Sequence, residues 1–275
     1  MAISLASLRR GPQRRPPRMI VYGPEKIGKS TFAASAPKPI FIPTEDGTDA
    51  LDVSAFPLAK SLQDVLDAIG VLITEDHDFE TLVIDSADWL ETLVHHKIAA
   101  DHNAPSIQGS GSKGDPLGYG KGYGLAADQW RVILEGCDLL RNEKGMVILF
   151  LAHYKIKRFD DPTSDSYDRF MLDLHDSSSS LLREWCDIIG FLNLRISLDR
   201  TDAGFNRKIV KGKSGGDRML YLEDRPGFVA GNRYGLPDEI MVPRENGWSA
   251  FAAELAKVMM PKVAETAKPK PVKAA

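Results

Sequence analysis

The stretch MIVYGPEKIGKSTFAASA, residues 19–36, decides how the rest of the chain reads. Four apolar residues, Met19 to Tyr22, run into the spacing Gly23-x-x-x-x-Gly28-Lys29-Ser30, and a helix-compatible run follows. Gly23 and Gly28 permit backbone geometry that a Cβ would obstruct. The N–H groups of residues 25–30 then point inward at an anion, aided by the N-terminus of the following helix. Glycine makes up near 7% of average sequences, so chance gives this pattern in roughly one chain in a hundred of this length. The strand–loop–helix context makes it rarer still.

This reading predicts ATP and Mg²⁺ as ligands, with the phosphates cradled by Gly23, Pro24, Glu25, Lys26, Ile27 and Gly28. Lys29 reaches the β- and γ-phosphates, the Ser30 hydroxyl ligates Mg²⁺, and Thr31 contacts the α-phosphate. A second element follows in TLVIDSADWL, an apolar strand that ends in Asp85. An acid at the end of a buried strand suits the Mg²⁺ shell. It also suits the cap of the next helix, and both uses are compatible.

Many motor ATPases place a glutamate directly after that aspartate; here the position is Ser86. The group that activates water must come from elsewhere. Glu45, in IFIPTEDG, follows the second apolar strand at the sheet edge where ligands bind in such folds. A carboxylate there is placed to orient or deprotonate water; the alternative is a surface turn residue beside Asp46 and Gly47.

The remaining pattern supports the same architecture. Apolar runs at 19–22, 40–42, 82–84, 146–152 and 188–196 suit strands buried on both faces. Helix-like segments at 29–35, 61–73, 86–101, 125–142 and 178–187 alternate with them, which predicts a doubly wound α/β fold. Two long segments, 103–124 and 155–180, read as functional or disordered loops. Beyond Ile196 short strands and glycine turns predict an antiparallel extension of the sheet.

The organisation expected is a basic disordered arm over 1–18, an ATPase core over 19–258, and a disordered Lys/Pro/Ala-rich tail over 259–275. The 275 residues are 43% hydrophobic and 27% charged, values of an ordinary globular chain with room for a sizeable core. The net charge of −3 hides an acidic body between two basic ends. That layout excludes a strongly basic nucleic-acid clamp and leaves local contact through loops, arms or an inter-subunit groove. The arms read equally as solvated tails. Two cysteines imply no disulfide framework and a reducing compartment. No apolar run approaches the roughly 20 residues of a membrane helix, and no signal peptide is read, so a cytoplasmic protein is expected. His95 and His96 are neighbours on a predicted helix and point about 100° apart, and no cysteine pair supports them with His102, so zinc is not expected; Trp89, Trp130 and Trp185 read as core or interface packing.

The order of these motifs resembles the RecA-type recombinase core, and more closely the small phage nucleotide-binding proteins with that core, some of them ATP-dependent single-strand annealing proteins. FIPTEDGTDAL resembles the segment that carries the family's catalytic glutamate, matched by Glu45, and LVIDSADWL matches the family's metal-binding strand down to its Asp-Ser pair. MVILFLAHYKIKR resembles the strand that ends in the γ-phosphate sensor. His153 stands where the family has glutamine, as sensor or as a satisfied core histidine, and the resemblance implies that this strand lies between those of Lys29 and Asp85. GNRYGLP, residues 231–237, resembles the segment that reaches the neighbouring subunit's nucleotide, with Arg233 as the trans finger and Gly231 in place of a lysine. Lys211 and Lys213 are rival candidates.

The two long loops correspond to the family's DNA-binding loops. Lys113, Tyr119, Lys121 and Tyr123 in the first, and Lys155, Lys157 and Arg158 in the second, are the candidates for phosphate contact and base stacking. A lid or a subunit contact is the other reading of both. The resemblance thus implies an Mg²⁺-dependent ATPase, phage-encoded and so in the host cytoplasm. It implies self-association into a ring or filament, single-stranded DNA as partner and possible contact with a single-strand-binding protein. The alternatives are a helicase or DNA-packaging accessory ATPase, a nucleotide-gated binding module whose turnover ignores DNA, and, with no readable acceptor pocket, a small-molecule kinase.

Overall fold

The computed structural model describes Leu8, Gly11 and residues 15–112, 114–162, 165–202 and 208–259, with the backbone alone for 196–202 and 208–215. Its centre is a nine-stranded sheet. The parallel part is built from β1 (Arg18–Tyr22), β2 (Pro39–Pro43), β3 (Ser54–Ala55), β4 (Thr81–Asp85), β5 (Val147–Ala152) and the start of β8 (Ile188–Asp202). A separate antiparallel pair, β6 (Tyr154–Phe159) and β7 (Tyr167–Leu172), stands off the main sheet. With β9 (Lys208–Tyr221) and β11 (Glu239–Met241), the strand order β11-β9-β8-β1-β5-β4-β2-β3 places β5 between β1 and β4. This is the position that the resemblance implied for the strand of His153.

Side chains alternate across the sheet with the strand period of two. Ile20, Tyr22, Ile40, Ile42, Leu82, Ile84, Ile148 and Phe150 face one core. It is covered by α2 (Leu62–Thr74), α3 (Ala87–Asp101), α4 (Lys121–Glu143) and α5 (Asp176–Trp185). Met19, Val21, Phe41, Val83, Leu149 and Leu151 face the other, covered by α1 (Lys29–Ala34) and α6 (Gly247–Met259). Strands buried on both faces explain the continuous apolar runs. At the start of α2, Ser61 and Asp64 form a capping box, each side chain accepting from the other residue's backbone N–H.

Several sequence expectations shift. The segment 155–180 is no open loop. It folds as the β6–β7 hairpin and the first half of α5, because Tyr154 and Phe170 pack onto the core beside Phe191. Helix α4 begins at Lys121 rather than 125, and the turn before it is organised by Asp115, which accepts from the N–H groups of Ser110, Gly111 and Leu117. Arg18 is no part of an arm: it opens β1 and lies partly buried on Asp187. Helix α6, unread in the sequence, docks Trp248 and Phe251 against Phe32 of α1. The antiparallel extension is one long hairpin, β8 with β9 (Lys208–Tyr221), bordered by β11 (Glu239–Met241) and the short β10 (Gly231–Asn232). Among the described residues no helix is long and apolar enough to cross a membrane.

Candidate active site

Four parallel strands deliver four groups to one edge. β1 ends in the glycine loop, β2 in Thr44 and Glu45, β4 in Asp85, and β5 in Ala152 with His153 next. Strand order alone puts these ends side by side at the carboxyl edge of the sheet.

The loop 23–28 is fixed from behind. A Cβ on Gly23 would stand 2.1 Å from the carbonyl oxygen of Leu192 on β8, so only glycine fits. Gly28 has φ +95°, in the left-handed region, and the Arg218 guanidinium fills the space a Cβ would need. Arg218 of β9 is buried and donates Nη1 to the carbonyl oxygens of Ile27 at 3.1 Å and Gly28 at 3.5 Å. Its other N–H groups go to the carbonyl oxygens of Val242 and Pro243. The guanidinium is thus held by main chain, and burial lowers its pKa from the usual range. The sequence carries no motif for it, since the pairing joins residues far apart in the chain.

Lys29 is buried inside the loop, with Nζ donating to the carbonyl oxygens of Gly23 at 3.2 Å and Pro24 at 3.0 Å. Burial lowers its pKa, against the opposing pull of Asp85, Asp88, Glu45 and Glu25. The Ser30 hydroxyl donates to Asp85 Oδ2 at 2.7 Å. A hydroxyl beside a buried carboxylate is a hard-oxygen set that fits Mg²⁺. Burial raises the pKa of Asp85, countered by Ser30 and Lys29.

Glu45 is half-buried beside Ser86, within electrostatic reach of His153, Asp85 and Asp88. Burial is the main reason its pKa is raised. The main chain fixes it here: the N–H groups of Thr44 and Glu45 donate to the Asp85 carbonyl oxygen, at 2.8 Å and 3.4 Å. The Thr44 hydroxyl donates to the Ser86 carbonyl oxygen at 2.7 Å and accepts from its N–H at 2.8 Å, across a cis Asp85–Ser86 peptide.

His153 contacts a residue the sequence did not single out, Asp88, in the first turn of α3. Asp88 accepts from the His153 backbone N–H at 3.0 Å, and its second oxygen lies 2.9 Å from Nδ1. The hydrogen bond to Asp88 is the main reason the His153 pKa is raised. The signal that finds Asp88 is an acid one helical turn past Asp85 and therefore near the same strand ends.

The other predicted residues lie elsewhere. Arg233 is at the opposite, amino edge of the sheet: its N–H donates to the Asp187 carbonyl oxygen at 3.0 Å and its Nη1 lies 3.4 Å from Asp187 Oδ1. Arg18 and Arg141 bind the same aspartate. Tyr119, between two glycines, is fully exposed, and Lys121 is exposed after it. Tyr123 is packed rather than displayed, stacked on His175 with ring centroids 3.7 Å apart. In the hairpin, Lys155 donates to the Leu174 carbonyl oxygen, Lys157 pairs with Asp176 at 2.6 Å, and Arg158 is exposed near Asp160. Lys113 and the side chains of Lys211 and Lys213 lie outside the described residues.

A glycine loop with its lysine, a hydrogen bond from Ser30 of the helix after it to Asp85 of the next-but-one strand, and an intervening strand that ends beside them define a P-loop ATPase of mixed α/β fold. The profile of the AAA domain family matches residues 15–234, and the chain belongs to that family. The crystal structure of the RadB recombinase aligns with 85% of this chain and 90% of that chain, at 16% identity and a TM-score of 0.44. No curated protein sequence matches the chain.

Proposed function

We propose that the protein is a Mg²⁺-dependent ATPase that acts on single-stranded DNA in strand annealing or recombination, and that it serves a phage. The observation that carries the ATPase is the convergence of Lys29, the Ser30–Asp85 pair, Glu45 and His153 on one sheet edge. When bound, Mg²⁺ supplies charge neutralisation between the phosphates. Lys29 binds the phosphates, Ser30 and Asp85 hold the metal, Glu45 takes the proton of the attacking water, and His153 faces the γ-phosphate.

Support for DNA comes from what leaves that edge. The β6–β7 hairpin starts directly after His153, and the turn into α4 displays Tyr119 with Lys121, the helix's first residue. Tyr123, in the first turn of α4, stacks on His175, which follows the hairpin and caps α5, so the two neighbouring segments are in contact. In a head-to-tail ring or filament the amino edge of one copy meets the carboxyl edge of the next, and Arg233 becomes the trans cation.

A second reading has its own observation. Lys155 and Lys157 are engaged within the chain, which leaves the hairpin few cations for phosphate. A nucleotide-gated binding module would need none. The deciding measurement is ATP turnover with and without single-stranded DNA, for wild type and Lys29→Ala, across salt. The proposal expects stimulation by DNA, loss in the variant, and DNA binding that weakens steeply with salt. Turnover that ignores DNA selects the second reading, and turnover retained in Lys29→Ala removes the ATP site itself.

A further inference from the structure

The Asp88 carboxylate holds His153 at two points. Oδ1 accepts from the backbone N–H at 3.0 Å and Oδ2 meets Nδ1 at 2.9 Å. Both side chains are largely buried, 14% exposed for Asp88 and 23% for His153. With Oδ1 committed to the main chain, the carboxylate cannot turn away from the ring without leaving a partly buried N–H unpaired. An ionised carboxylate only accepts, so the proton between the two sits on Nδ1 and Nε2 is the nitrogen left for the site. Around the ring stand Asp88 from α3, Lys29 from α1, Glu45 after β2 and Asp85 at the end of β4.

A glutamine in the sensor position donates through its amide whatever the pH. A histidine whose Nδ1–H is committed donates from Nε2 only as imidazolium. The sequence difference at His153 therefore needs an adjacent negative charge, and the structure supplies one on the same helix that follows the metal-binding strand.

We propose that Asp88 is the positioning residue of this site, which fixes the orientation of His153 and keeps its ring cationic so that Nε2–H donates to a γ-phosphate oxygen. This rests on the reading above that His153 lies at the γ-phosphate. Asp88 touches neither nucleotide nor metal and acts through the ring alone.

The test compares Asp88→Asn, His153→Gln and the double variant in the full-length chain. Asp88→Asn keeps the size and one carbonyl acceptor but removes the charge. Loss of such a supporting contact costs about 10- to 100-fold, so kcat at neutral pH should fall by that order, with KM for Mg·ATP changed less than about twofold. The alkaline limb of the kcat profile should move to lower pH. In the His153→Gln background, Asp88→Asn should have no further effect, because the amide needs no counter-charge. An equal loss in both backgrounds makes Asp88 merely structural and overturns the proposal. If His153→Gln and Asp88→Asn both leave kcat and its pH profile unchanged while Lys29→Ala abolishes turnover, the placement of His153 at the γ-phosphate falls instead. A measurement without variants stands beside these: ¹⁵N-imidazole resonances of the nucleotide-free protein should show His153 with both ring nitrogens protonated. A neutral ring at neutral pH, in either tautomer, overturns the proposal.

Discussion

Arg218 and Gly28 share one space: a Cβ built on Gly28 would stand 2.0 Å from Arg218 Nη1. The strand that carries the arginine and the loop that carries the glycine are 190 residues apart, yet each explains the other. The glycine leaves room for the guanidinium, and the guanidinium fixes the loop carbonyls of Ile27 and Gly28 so that the N–H groups face the opposite way.

Substitution at either partner should therefore impair nucleotide binding from inside the fold. Gly28→Ala combines a positive φ with a steric clash, and the left-handed conformation alone costs about 1–2 kcal/mol. Retention of ATP, measured by calorimetry, should fall at least about tenfold. Arg218→Met leaves buried carbonyls unpaired at about 1–3 kcal/mol each, so thermal stability should drop together with ATP affinity. A variant with unaltered affinity would show that the loop holds its shape without this clamp.

Glu45 should impose an acid limit on turnover. Burial raises its pKa, and a base works only when ionised. The rate should therefore fall as pH drops through a value above the ordinary carboxylate range, and recover above it. Glu45→Gln should lower kcat by about 100-fold or more with nucleotide binding retained. Full turnover in that variant would exclude Glu45 as the base.

The Asp88–His153 pair should leave a signature in stability. The His153 pKa is raised by its bond to Asp88, so its contribution is complete below the unfolded value near 6.5 and is lost as pH rises through the folded value. Burial would raise the Asp88 pKa, but the bonds from His153 outweigh it and lower it. That contribution is complete above the unfolded value near 3.9 and is lost as pH falls through the folded one. Urea unfolding of wild type and His153→Ala should differ most between about pH 4 and 6.5, and the gap should narrow in alkali. A gap that widens in alkali would mean the ring is held neutral.

Tyr119 and Lys121 should differ in how they lose DNA. Tyr119→Ala removes a stacking face and should cost about 1–3 kcal/mol in single-strand affinity, with the salt slope unchanged. Lys121→Ala should lower the slope of log K against log salt by about 0.7, the single-strand increment for one phosphate. Equal effects on the slope would place neither residue in its proposed role.

Much of the candidate site is legible in the sequence. The glycine spacing named Lys29 and Ser30, and the acids that end two apolar strands named Asp85 and Glu45. Each signal is local, because a strand end and the loop after it are contiguous in sequence. Asp88 was half-legible: its place one turn past Asp85 is a sequence fact, but its partner His153 lies 65 residues away. Arg218 and the packed state of Tyr123 were not legible, since nothing in RMLYLE or GKGYG names a contact with residue 28 or 175. Within the expected loop 155–180, the β6–β7 hairpin is hidden in the sequence because its polar outer residues mask the alternation that turns Tyr154 and Phe170 toward the core.

By itself the sequence determined a glycine loop between a strand and a helix, the acids at the ends of two apolar strands and an alternating α/β order, because these rest on short-range backbone geometry and on the period of burial. Tertiary structure alone decided which strand lies beside which, and so which side chains meet. β5 entering between β1 and β4 brought His153 to Asp88 and Lys29, and β9 crossing behind the loop set Arg218 against Gly28. The reason is that hydrophobic burial fixes which face of an element turns inward but carries no record of its neighbour; that is settled only when the whole sheet closes its hydrogen bonds and both faces pack at once.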